Sequence, residues 1–543
     1  MDEKEDKDRS VSPLPDKKNN GKPFKTMKSR VLSGAFWLFM EKGGLGFVEF
    51  AVAWVLARFF LSPSDYSTVG LISIFISFSN IFVQGGFNTA IIQRKELDDE
   101  DCSTVFWLSL GVSLLFYGLL FILSPYIAAY YERPVLTSIL RVQSLTLIFG
   151  ALCVVQTALL TRRMQFRSIF LRTGLATAVF GISAAVMGFG VWTIVIQTVS
   201  VSLIGCIVMW FSVDWRPSFK FNFAKLKDLF GFGSKILASN IINCAYSNAL
   251  PVVMDKLYTK DTLGFYNKAR TIPTKLGEAI NATVSNVVFP SLSACQNDPK
   301  RIKELTRRFI VTSSFVMFAI MAGLIAVARP MILFVYTEKW AGSIVFMQFV
   351  CISYAFMPLN SANLQAIKAM GRSDIYLILE IVKNGIGIAL LAASMFFTRN
   401  TEYSLYIVLA VQSFISILCV AINSFPNKKL MGYSFGQQIK DILPSLLLAV
   451  FMGAAVYSVT FLELSHLITL LIQLPLGIII YFGAAYLLKF ECLTYLTAAL
   501  KELIRRKLKK PQNGEEKDGS ADVNDSENAV VGSDGHYRRH GGK

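Results

Sequence analysis

The residues with the most chemistry to offer lie in one stretch flanked by apolar sequence, Gly264 to Pro290, which carries Lys268, Arg270, Lys275 and Glu278. Ionisable groups at membrane depth are costly, and they face a bundle interior or a water-filled path. Lysine and arginine bind phosphate and carboxylate groups well, so the chemistry on offer is recognition of an anion. At about 100° per residue, Lys268 and Lys275 share nearly the same angular position on a helix. Asn267, Thr271, Thr274, Glu278, Asn281, Ser285 and Asn286 fall on that broad face, and Ile272, Leu276, Ile280, Val284 and Val287 gather opposite. The spacing predicts a spanning helix with one wet side, bent at Pro273. Arg270 sits at the margin of the stripe, from which it can also snorkel toward the surface.

Other polar groups recur at helical spacing inside apolar runs. One side of the preceding run holds Lys235, Ser239, Asn243, Tyr246 and Ser247, and an earlier run holds Ser77, Asn80, Gln84 and Asn88. The Ser/Asn/Gln stripe serves helix packing as readily as it serves a passenger. Glu41, Lys42 and Glu49 lie in the first run, and Arg141 in the fourth. Glu380 and Lys383, one turn apart, are expected to neutralise each other as a structural pair. Nucleotide and hydrolase signatures are missing: there is no P-loop, no G-x-S-x-G and no H-E-x-x-H. The eight cysteines form no C-x-x-C pair, and the only histidines are His466, His536 and His540. The expectation is therefore no cofactor, no metal centre and no disulfide framework.

The elements that must position these groups are membrane spans. Of 543 residues, 53% are hydrophobic and only 17% charged, and mean hydropathy is +0.49. A soluble domain carries about 25% charged residues. A window of about 20 apolar residues crosses a bilayer, and fourteen candidate spans can be placed. They lie near 33–57, 67–92, 104–128, 136–160, 168–188, 191–212, 230–254, 263–289, 308–328, 343–367, 374–396, 403–424, 440–461 and 466–488. The fold class expected is an all-α polytopic membrane protein. Its divisions would be a cytoplasmic tail at 1–29, a first lobe at 30–212, a linker at 213–229 and a second lobe at 230–424. Two extra spans at 425–489 and a basic, then polar, tail at 490–543 complete it.

Orientation follows from the basic residues of short loops, which collect on the cytoplasmic side. Alternate loops divide nineteen cations against seven, the poorer set being Arg58, Arg133, Lys256, Lys260, Arg329, Lys339 and Arg399. Both termini fall on the basic side. The net charge of +17 is explained by those loops, and nucleic acid is not an expected partner. Lys501–Lys510 is a basic amphipathic stretch suited to an anionic leaflet or to a solvated helix end. Val55–Tyr66 echoes Val252–Leu263 in its pattern of apolar helix end, charged residue and polar turn. Six spans separate the two, which implies two parallel repeats enclosing a central pathway.

Several motifs then carry a family resemblance: Ser33-Gly-Ala-Phe-Trp, Ile91-Ile-Gln-Arg-Lys-Glu, Phe230-Gly-Phe-Gly, Gly264-Phe-Tyr-Asn-Lys-Ala, Val288-Phe-Pro-Ser-Leu and Val335-Tyr-Thr-Glu-Lys-Trp. Over about residues 30–490 the chain resembles the polysaccharide-transport branch of the multidrug/oligosaccharidyl-lipid/polysaccharide flippase superfamily. Within it, the chain is similar to exporters of the colanic-acid and teichuronic-acid type; its polar tails depart from the compact family pattern. The resemblance implies two MATE-like six-helix lobes plus two helices. It also implies a flippase that moves an undecaprenyl-pyrophosphate-linked oligosaccharide out through the bacterial cytoplasmic membrane. Alternating access would run through a cationic cavity lined by Lys268 and Lys275, with Arg270, Lys235, Arg141 and Asn243 as further wall candidates. Glu41, Glu49 and Glu278 are candidates for coupling or gating. Partners implied are membrane lipids and the polymerase and glycosyltransferases of the same pathway. Two rivals make distinct predictions. A cation-coupled small-molecule exporter of the same fold would have an acidic cavity, and a membrane polymerase would carry a large outward loop.

Overall fold

The computed structural model describes residues 51–84, 98–163, 179, 182–219, 223–259, 261–293, 295–296, 298–398, 400–490 and 492–493. Met1–Leu488 form one unit and Lys489–Lys543 another, of which only four residues are described. The described residues of the first unit are helical and contain no strand. Ten of its helices are long and apolar enough to cross a membrane. This is a multi-pass membrane protein whose regular elements, among the described residues, are all helices.

In chain order the helices are α1 (Ala51–Phe60), α2 (Pro63–Gln84), α3 (Asp99–Tyr130), α4 (Val135–Leu152), α5 (Val154–Arg163) and α6 (Trp192–Ser212). There follow α7 (Phe223–Leu257), α8 (Thr262–Ser293), α9 (Pro299–Tyr336), α10 (Ser343–Ala369), α11 (Ser373–Thr398), α12 (Ser404–Met431), α13 (Phe435–Ser458) and α14 (His466–Leu487). Most of the expected first and fifth spans, 33–57 and 168–188, lie outside the described residues. The expected fourth span is in fact α4 and α5, with breaks at Ser144 and Cys153. The tenth likewise breaks at Phe356 within α10. α7 starts at Phe223, inside the segment expected to be a linker.

The ends of these helices follow from local sequence. Asp298 caps α9 by accepting from the backbone N–H groups of Lys300 and Arg301, and Pro299 occupies the first turn, where it loses no bond. Ser434 and Gln437 form a reciprocal capping box at the start of α13. Gly432, at φ 68°, ends α12 in the left-handed conformation that a Cβ disfavours. α1 closes with a π-helical turn, Leu56–Phe60, in which the Leu61 N–H reaches back to Leu56 O.

α7 and α8 differ from the rest. They have 35 and 32 residues, so each exceeds the roughly 30 Å of a bilayer core at 1.5 Å per residue. Neither is among the ten apolar helices. Their polarity has a structural correlate, because α8 is packed against α2 on one side and both parts of α10 on another, and α7 lies against α2 and α11. A helix enclosed by neighbours can carry a polar stripe that a lipid-facing helix cannot. α9, α13 and α14 pack on one another as an apolar group, α9 also lying against α8 and α10, and Tyr481 of α14 donates to Phe315 O of α9 at 2.7 Å.

Candidate functional site

A cavity of about 460 Å³ lies where α2, α7 and α8 converge. α2 contributes Gly70, Ser73 and Ser77, spaced so that one polar edge of the helix faces inward. α7 adds Asn248 and Pro251, and Ile194 of α6 closes one side. The largest share comes from α8: Asn267, Arg270, Thr271, Thr274, Lys275 and Glu278. Asn267, Thr271, Thr274, Lys275 and Glu278 belong to the stripe given by helical phase and Arg270 to its margin, so this part of α8 faces a hollow. Lys268 and Asn281 do not line it, and the side chains of Ser285 and Asn286 lie outside the described residues.

The wall carries two cations and one carboxylate, among hydroxyl and amide groups. Lys275 and Glu278 are exposed, and Arg270 is half-buried with its guanidinium 5.7 Å from the Tyr266 ring. Three buried polar atoms of α8 have no hydrogen-bond partner in the protein: Asn267 Nδ2, Thr274 Oγ1 and Asn281 Oδ1. Buried polar groups are normally satisfied, so this face is suited to contacts with water or a polar passenger. Close approach of α2 to α8 at the wall depends on glycine, since a Cβ on Gly70 would meet Asn267 Nδ2 at 2.1 Å; away from the cavity, a Cβ on Gly277 would meet the Tyr354 ring of α10 at 2.7 Å.

Lys268 stands elsewhere than expected. It is 4% exposed, and its ammonium donates to Ala53 O of α1 at 3.0 Å. Aromatic rings surround it, with the Tyr336 centroid at 4.4 Å, Tyr66 at 4.7 Å and Trp340 at 5.7 Å. The physical reason lies in side-chain direction. Side chains on a helix lean toward its N-terminus, and Lys268 lies near the start of α8, so its stem leaves the cavity level and enters this cage. Sharing an angle with Lys275 does not give it the same depth.

The remaining candidates divide in the same way. Arg141 is held by Ser124 Oγ at 2.9 Å and lies over the Phe121 ring at 4.2 Å, between α3 and α4. Asn243 accepts from Asn384 Nδ2 at 2.8 Å, joining α7 to α11. Neither lines the cavity. Lys235 is on α7, but its side chain is outside the described residues, as are Glu41 and Glu49. Glu380 and Lys383 do pair directly, as their spacing predicts. Sequence reasoning missed the cage and a buried ion pair, Arg133–Asp255 at 2.8 Å, whose partners are far apart in the chain. The only trace of the cage is the run of aromatic residues at Tyr66, Tyr336 and Trp340, each beside a turn.

Arranged this way, the helices define a membrane-transporter fold with known counterparts. The inward closed conformation of the lipid II flippase MurJ superposes with a TM-score of 0.66 at 16% identity, covering 84% of this chain and 99% of that one. An inward-facing MATE transporter of the MOP superfamily gives 0.57 at 15% identity, covering 72% and 96%. Residues 55–345 match the family described as "Polysaccharide biosynthesis protein", and the chain belongs to that family. The teichuronic acid biosynthesis protein TuaB of Bacillus subtilis is 24% identical over 444 residues, 80% of this chain and 90% of its own length. The lipopolysaccharide biosynthesis protein WzxC of Escherichia coli is 22% identical over 360 residues, 64% of this chain and 72% of its own.

Proposed function

We propose that this protein is a flippase for an anionic, lipid-linked oligosaccharide unit used in surface polysaccharide synthesis. The observation that carries the reading is the polar face of α8 on the cavity, where Arg270 and Lys275 outnumber the one carboxylate, Glu278. Arginine and lysine hold phosphate by charge-assisted hydrogen bonds, and hydroxyl and amide groups beside them suit sugar hydroxyls. The family and the named relatives support a place in polysaccharide biosynthesis. The passenger in this reading is an undecaprenyl-pyrophosphate-linked repeat unit, moved from the cytoplasmic to the outer leaflet.

A cavity of about 460 Å³ suits a drug-sized ligand, so a multi-sugar unit requires the walls to separate. The lipid tail stays in the bilayer and trails through a lateral opening between lobes 30–212 and 230–424. In this reading the distribution of basic loops favours both termini in the cytoplasm, and the likeness to bacterial polysaccharide-biosynthesis proteins favours the cytoplasmic membrane of a bacterium. Glu278 is the described carboxylate placed to couple or gate the movement, with Glu41 and Glu49 as the others.

The test is Lys275→Ala and Arg270→Ala in a strain that makes one defined surface polysaccharide. Export per folded transporter is expected to fall about tenfold or more, the loss of one charge-assisted contact. Normal export at normal protein level in both variants would sink the site assignment.

A further inference from the structure

The hydrogen bonds described between residues 51–219 and residues 223–488 gather at one end of the bundle. They lie at the turns joining α1 to α2, α3 to α4, α7 to α8 and α9 to α10. Asp255, near the end of α7, accepts from Arg133 Nη2 at 2.8 Å and from the Ser67 hydroxyl at 2.7 Å. Arg133 Nη1 donates to Ser67 Oγ at 3.1 Å and Thr68 Oγ1 at 3.0 Å. Both charged side chains are deeply buried, 7% and 2% exposed. Lys256 Nζ closes the rim on Tyr130 O at 2.9 Å. Asp255 lies one turn beyond Pro251 of the cavity wall on α7, toward the α7–α8 turn, so this cluster caps the turn end of the cavity.

A ceiling of ions has a different energetic character from a ceiling of apolar side chains. An ion pair taken out of water roughly breaks even against a hydrophobic isostere, because desolvation offsets the attraction. Separating the two ions into water returns their hydration, so opening is inexpensive. Leaving either ion buried alone is very unfavourable, so the two part together or remain together. An apolar plug would gain on closing and lose on opening, and would hold the ceiling shut. α8 reinforces the closed arrangement without side chains, since a Cβ on Gly264 would lie 1.9 Å from Pro63 O.

We propose that Arg133, Asp255 and Ser67 form the latch of an outer gate, closed in this structure and separated when the cavity opens to the opposite side. It rests on the cavity being the translocation path, but its test needs no passenger and so can fail independently of the flippase reading.

The experiment places Ser73→Cys on the cavity wall of the full chain and measures labelling by a membrane-impermeant maleimide added outside spheroplasts. The parent chain gives the native-cysteine background. Labelling is expected to be slow with the latch intact and at least tenfold faster with Asp255→Asn, since breaking one partner of a buried pair shifts a closed population by that much or more. The exchanged pair, Arg133→Asp with Asp255→Arg, should return labelling toward the slow rate. The apolar pair, Arg133→Met with Asp255→Leu, should stay slow and lose export. Fast labelling of the intact latch, or an unchanged rate in Asp255→Asn at normal protein level, would overturn the proposal. Should Asp255→Asn not accumulate, Ser67→Ala removes two hydrogen bonds, the one it donates to Asp255 and the one it accepts from Arg133, and keeps the ion pair. It is expected to label a few times faster, and an unchanged rate there overturns the proposal equally.

Discussion

Lys268 and Lys275 sit on the same edge of α8 and meet opposite surroundings. The first is enclosed by three aromatic rings and a backbone carbonyl; the second is exposed on a cavity of hydroxyl and amide groups. The same contrast separates the two regions they belong to. At the turn end, cations are capped by the protein itself: Arg133 by Asp255, Lys339 by Leu61 O at 3.0 Å, and Arg58 by Val335 O at 3.1 Å. Burial pulls the Lys339 ammonium below the usual lysine range, while Asp65 pulls it back up. One turn further into the bundle, the polar groups of α8 look into open volume. The lesson is that a cation in an apolar segment reports a structural role or a binding role according to what the neighbouring helix ends present to it.

The contrast can be broken or sharpened by substitution, beginning with the largest effect. Gly264→Ala sets a side chain against backbone that cannot yield, and should cost about 3 kcal/mol or more of the closed packing. A thermal midpoint unchanged in detergent would show that the turn end is looser than described. Lys268→Ala empties the cage and removes its cation–π contacts, for a loss of ~2–4 kcal/mol. Its signature is a lower thermal midpoint and less protein, with export per folded molecule unchanged. Lys275→Ala should do the reverse, keeping the midpoint while lowering export about tenfold, equivalent to ~1.4 kcal/mol. If these two variants exchanged signatures, the division between cage and cavity would be wrong. Smallest of all, Asn243→Ala removes one interhelical amide contact to Asn384, for about 0.6 kcal/mol. A large transport defect there, at normal stability, would return Asn243 to the pathway.

Much of the helical plan is legible in the apolar windows, because a bilayer demands length and hydrophobicity that few other settings do. The polar character of α7 and α8 is visible too, as is the wet face of α8, since a period of 3.6 residues fixes azimuth. Depth is not fixed by azimuth. Lys268 shares the angle of Lys275, yet its side chain meets α1 and the α9–α10 turn, contacts made by chain more than two hundred residues before it and some seventy after it. Arg133 and Asp255 read as ordinary loop cations and helix-end acids until folding joins them. Arg141 looked like a cavity cation because its apolar context hid the Ser124 hydroxyl that holds it.

The end of α1 carries one more consequence. Ala53, Ala57 and Leu61 present their carbonyl oxygens to Lys268, Trp340 and Lys339, at intervals of four residues. What is recognised there is peptide backbone, which every residue type displays alike. That contact can therefore survive drift in side-chain identity but depends strictly on chain length. The π-helical turn Leu56–Phe60 holds one residue more than an α-helical turn would need. Deleting a single residue from it would rotate the following carbonyl by about 100° and break the count, though nearly every letter of the sequence were kept.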